Sequence, residues 1–183
     1  MRKNLVYFNI FIFISSNLIS QDLGSMYNKA NNKLKAGALK EAELTLEKIL
    51  EIDPSYAPAH VTFSKLWLQR ADLSRANEYA TLAVRIDEDF RPWWDELNEI
   101  KKKIHSGRQK AQQADYKNAM REYESIVEKY PYYPELQYQM GITKYKQGNF
   151  KGAAFYFEQA LKIYPNYQKA QKALDNVLKR LRK

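Results

Sequence analysis

The chain has 183 residues, of which 45% are apolar, a formal charge of +9 and no cysteine. The apolar fraction excludes a disordered chain, and the lack of cysteine excludes a disulfide framework, thiol catalysis and every cysteine-based metal site. The positive excess favours acidic proteins, anionic surfaces or nucleic acid as partners without specifying a fold.

Arg2 and Lys3 lead into an apolar run from Leu5 to Ile14, broken only by Asn9, and then into Ser15-Ser16-Asn17-Leu18-Ile19-Ser20. A basic start, a short apolar core and a small polar exit predict a secretory signal peptide over residues 1–20. The run is shorter than the ~20 apolar residues of a membrane span. Cleavage after Ser20 removes Arg2 and Lys3, which lowers the charge from +9 to +7 and leaves Gln21 first. An uncleaved anchor is the alternative. The chain is expected to be exported, periplasmic or extracellular.

The rest repeats itself. Gly37-Ala38-Leu39-Lys40-Glu41-Ala42 aligns with Gly148-Asn149-Phe150-Lys151-Gly152-Ala153, and Leu46, Ile49 and Pro54 then match Phe157, Ala160 and Pro165. Ala114 to Ala119, followed by Tyr123, Ile126 and Pro131, is a third copy of the pattern. Ala71 to Ala76, followed by Ala80 and Ala83, is another, with Glu88 in place of the proline.

This pattern resembles the tetratricopeptide repeat family, whose unit has 34 residues, two antiparallel helices, small residues where they touch and a closing proline. The copies run 23–56, 57–90, 100–133 and 134–167. The resemblance implies an all-α fold, a right-handed α-solenoid of about four helix pairs with a C-terminal capping helix.

The residues support this reading physically. Ala42, Ala76, Ala119 and Ala153 let each second helix approach the first, and Ala30, Ser64, Gly107 and Gly141 do the same from the other side. Gly37 and Gly148 suit the left-handed end of a first helix. Pro58, Pro92 and Pro134 sit near the starts of first helices, where proline is tolerated. Tyr56, Phe90, Tyr133 and Tyr167 recur before each next helix, as hydrophobic staples would. The aromatic expected late in the first helix is present as Trp67, but is replaced by Lys33, Lys110 and Lys144 in the other copies. In the third copy Lys103 and Ser106 occupy positions that are normally apolar.

Copies two and three start 43 residues apart, so nine residues, 91–99, are inserted. Phe90, Trp94, Leu97, Ile100 and Ile104 keep helical spacing. One elongated helix from about Pro92 to Gln113 is therefore expected, with a bend at Ser106-Gly107. Trp93 covers the seam between repeat pairs or, alternatively, anchors a partner. Ala170, Ala173, Leu174, Val177, Leu178 and Leu181 give residues 168–183 the apolar face of a terminal cap.

No catalytic, cofactor or metal motif is present: there is no phosphate-cradling glycine loop, no His-Glu-x-x-His and no glycine-flanked serine. His60 and His105 stand far apart and read as helix-surface or seam residues. The basic clusters are Lys101-Lys102-Lys103 and Lys179 to Lys183. Export disfavours nucleic acid for them and favours an anionic membrane surface or envelope polymer.

The resemblance also locates a binding face, because in this family the first helices line a concave groove. Some members clamp a peptide carboxylate with lysine, asparagine and arginine. Asn31 and Lys101 match that clamp, whereas Tyr27, Thr62 and His105 do not, so that specific function is rejected. The implied groove residues are Tyr27, Asn31, Lys65, Arg108, Glu135, Tyr138, Ile142, Tyr145, Lys146, Lys172 and Lys179. They suggest a non-catalytic scaffold binding a protein or peptide of acidic and apolar character. Two alternatives stay open: an anionic-surface binder working through its tail, and an accessory subunit of an envelope enzyme.

Overall fold

The computed structural model describes residues 22–182, and the predicted signal peptide lies outside them. Helix α1 covers 22–35. It is followed by α2 (Leu39–Ile52), α3 (Ala57–Gln69), α4 (Leu73–Ile86), a 3-10 turn (Glu88–Phe90), α5 (Arg91–Gln112), α6 (Tyr116–Val127), α7 (Pro134–Lys146), α8 (Phe150–Ile163) and α9 (Gln168–Leu181). No strand occurs among the described residues.

Two start signals alternate along the chain. α3, α5 and α7 begin with proline in the first turn, where the missing N–H is not needed. α4, α6 and α8 begin on Asp72, Asp115 and Asn149, whose side chains accept from the backbone N–H of Arg75, Asn118 and Gly152. Tyr56, Phe90, Tyr133 and Tyr167 are themselves N-cap residues. They therefore sit one position later than a staple, and their rings pack instead of capping.

The small residues set the spacing within pairs. Ala42, Ala76, Ala119 and Ala153 are fully buried. A Cβ on Gly107 would lie 2.5 Å from the Tyr123 ring, and one on Gly141 would lie 2.5 Å from Phe157. One core cluster joins Leu23, Leu34, Leu46, Ile49, Phe63 and Leu66 in the first half. A second surrounds α5 with Leu97, Ile100, Ile104, Tyr123, Leu136 and Met140. A third holds Phe157, Leu174 and Val177 at the C-terminal end.

Lys33, Lys103, Ser106 and Lys110, polar residues at apolar positions, find partners on the second helix of their own pair. Lys33 pairs with Glu41, and Lys110 with Glu122. Ser106 also donates to Glu122, at 3.0 Å, and Lys103 to Ser125 at 3.3 Å. The third pair is thus held by a polar seam as well as by Tyr123. Between α2 and α3, Arg70 donates to both carboxylate oxygens of Glu43, at 2.7 and 3.0 Å. That bond holds the Glu43 carboxyl down at about 2.

α5 is the elongated helix, continuous from Arg91 to Gln112. Its nine extra residues equal two and a half helical turns, about half a revolution beyond a whole number. The faces that α5 offers to its two neighbouring second helices are therefore opposite. Trp94 donates to Thr81 of α4 at 3.1 Å, while Ser106, Lys103 and Lys110 reach α6 from the other side. Trp93 covers a seam: its indole N–H donates to Ser64 at 2.9 Å, and its ring meets Tyr130 edge-on. The halves also meet away from α5, where Ala71 packs on the cluster of Ala160, Tyr167 and Ala170.

Candidate interaction groove

A groove of about 1540 Å³ opens between the two halves. Its floor is one stripe of α5: Trp94, Asn98, Lys101, His105 and Arg108. Their spacing of four, three, four and three keeps them on a single helical face. Leu73 and the α3–α4 turn form one wall, and Tyr164 to Lys169 form the other.

The floor ends in a buried carboxylate. Glu135, 6% exposed, accepts from Arg108 at 2.6 Å, from the Gln139 amide and from the Tyr167 hydroxyl. Burial, reinforced by the Glu135 charge, pushes the Tyr167 phenol far above its ordinary range. The Tyr133 hydroxyl beside this network is buried and has no protein partner. Burial and then Glu135 raise its pKa too, against the opposite pull of Arg108.

Charges on the rim differ in engagement. Glu96 pairs with Lys129, and Glu99 lies 3.8 Å from Lys102. Lys101 and His105 are exposed on the floor, and Lys169 is exposed on the facing wall. None of these three takes part in an ion pair among the described residues. The two lysines and the His105 ring are therefore the donors left for a ligand.

Of the residues expected in a groove, only Arg108 and Glu135 line this one. Glu135 is saturated by its own donors and does not face a ligand. Tyr138, Ile142 and Tyr145 do not form an open surface either, since they pack on the cluster of Phe157, Leu174 and Val177. Leu174 and Val177 of that cluster belong to α9, which leaves the three half-buried, and Arg180 of α9 lies over the Tyr145 ring at 5.4 Å. Lys146, Lys172 and Lys179 are exposed outside the groove lining.

In the first half, Tyr27 packs edge-on against Tyr56 and Asn31 accepts from Thr62. Lys65 lies over the Trp93 ring at 5.2 Å, so these three belong to a separate face. His60 is a seam residue, its Nε2 2.9 Å from the Pro54 carbonyl oxygen. The residues that sequence reasoning missed are Asn98, Tyr164 and Lys169, with Trp94, Lys101 and His105 assigned elsewhere. The available signal was the α5 stripe itself, which continues beyond Trp94 in polar residues.

A model of the tetratricopeptide repeat matches residues 134–167, and a second matches 23–56. Nothing matches among curated protein sequences. Among solved structures, the chain is similar to the TPR domain of P58(IPK), with 18% identity and a TM-score of 0.65, over 87% of this chain and 46% of that one. It thus spans just under half of that structure. It is also similar to pilF of Pseudomonas aeruginosa, with 20% identity and a TM-score of 0.41, covering 90% and 71% of the two chains. YrrB, described as a TPR protein with an unusual peptide-binding site, gives 20% identity and a TM-score of 0.39, covering 81% and 89%. At such identities the P58(IPK) likeness speaks for the fold alone. The chain thus carries tetratricopeptide repeats at 23–56 and 134–167, and its all-helical fold is similar to that of the P58(IPK) TPR domain.

Proposed function

We propose that this scaffold binds an acidic protein or peptide segment in the groove along α5, and that it does so outside the cytoplasm. The observation that carries the reading is the α5 stripe, a polar and aromatic helical face whose residues Lys101, His105 and Arg108 are exposed among the described residues. Trp94, whose indole N–H is given to Thr81, offers ring area, and Tyr164 offers ring area with a polar tip, aromatic contacts of the kind favoured at binding hot spots. Lys101, His105 and Lys169 supply uncommitted donors beside them. The basic, apolar and polar leader over residues 1–20 supports export.

The test is affinity capture with the mature chain, comparing the parent with Lys101→Glu/Lys169→Glu and with Lys172→Glu. Both variants change exposed lysines, so folding is retained. The groove variant is expected to lose the captured partner by roughly tenfold or more, while the α9 variant keeps it. Equal capture by all three moves the site away from the groove. Separately, N-terminal sequencing of the full chain expressed with its leader reads at or near Gln21 if the leader is cleaved, and an intact Met1 in the cytosol removes the export reading.

A further inference from the structure

The α5 stripe has a definite place in the repeat scheme. In each complete pair, the large and small residues of the first helix are covered by the second helix of the same pair. Residues 91–104 present that same pattern, with Trp94 and Leu97 where the two large residues of a first helix belong. Their own second helix never follows, because the chain runs on as α5 into the next pair. The half-revolution gained over nine residues then turns the later contacts, through Lys103, Ser106 and Lys110, to the opposite side. Among the described residues the earlier face is left uncovered from Lys101 to Arg108, and it forms the groove floor.

The stripe from Trp94 to Arg108 spans fourteen residues, or about 21 Å of helix at ~1.5 Å per residue, and a second helix can lie along it.

Charge adds a register. Lys101 and Arg108 are seven residues apart, two turns along one face, and Lys169 stands on the opposite wall. Arg108 gives one nitrogen to Glu135 and keeps half of its side chain exposed. We infer that the groove receives an α-helix supplied by a partner, lying where the second helix of a repeat would lie, with carboxylates seven residues apart facing Lys101 and Arg108. This rests on the groove being the binding site.

Two fluorescent, end-blocked peptides of about sixteen residues test it. One is an Ala/Leu helix with two glutamates seven apart on its apolar edge. The other is the same peptide with one central alanine replaced by proline, and circular dichroism verifies the helix and its loss. The full chain is expected to bind the helical peptide roughly tenfold or more tighter than the proline peptide. Lys101→Glu should weaken the helical peptide, and a matching Glu→Lys change in the peptide should restore binding. Equal binding of both peptides overturns the helix and leaves the groove reading standing. Equal binding of the glutamate peptide by parent and Lys101→Glu overturns the charge register. Binding of neither peptide overturns the inference, and the capture experiment above then decides separately whether the groove is the site.

Discussion

Gly37, Ala71, Ala114 and Gly148 hold one backbone conformation, with φ of 76°, 60°, 62° and 79°. Each stands just before the N-cap of a second helix, so the turn within every pair is left-handed. The glycines were legible as such from sequence. The alanines were not, because the alignment matched their position while the residue type concealed the conformation. A left-handed alanine costs about 1–2 kcal/mol, which the surrounding pair must offset. Ala114 is exposed, so Ala114→Gly is expected to raise stability by about 1 kcal/mol in urea unfolding. Ala71→Gly should gain less, because its methyl packs on Ala160, Tyr167 and Ala170. Glu135 was expected in a groove, but its saturation was illegible: its partners Arg108 and Tyr167 lie 27 and 32 residues away, and no local pattern links them.

Between elements, the sequence specified which residues must be small but not which stripes would be covered. Gly107 and Gly141 were readable as close approaches, and the structure sets Tyr123 and Phe157 against them. Gly107→Ala forces the fully buried Tyr123 ring to move. It is expected to cost about 1–3 kcal/mol, as overpacking does. Gln109→Ala, on an exposed position of the same helix, should leave stability within about 0.5 kcal/mol. Chemical denaturation of the two variants checks this, and equal midpoints would mean that the pair is looser than drawn. The stripe of Tyr138, Ile142 and Tyr145 shows the limit of periodicity. Spacing of this kind says that residues share a face, whereas its packing against α9 depends on where the next helix goes.

At the scale of the whole molecule, the nine inserted residues decide more than any single contact. Their number was legible; their consequence depends on helix phase, which turns one face of α5 towards α4 and the opposite face towards α6. α5 therefore belongs to both halves, and the halves meet again at Ala71. The chain should unfold as one cooperative unit because neither half can lose α5 without disturbing the other. His105 is the place to break that link. Its side chain is exposed, so a proline ring there enters solvent and avoids the tight contact at Gly107. His105→Pro removes one backbone bond and clashes with the carbonyl of Lys101, at a cost of about 3 kcal/mol or more. Thermal unfolding of the parent and of His105→Ala is expected to be a single transition. His105→Pro should melt earlier, in two steps, with the pairs α3–α4 and α7–α8 separating in stability as measured by hydrogen exchange. A single transition in His105→Pro, at the temperature of the parent, would show that the two halves are coupled through the Ala71 contact and not through α5.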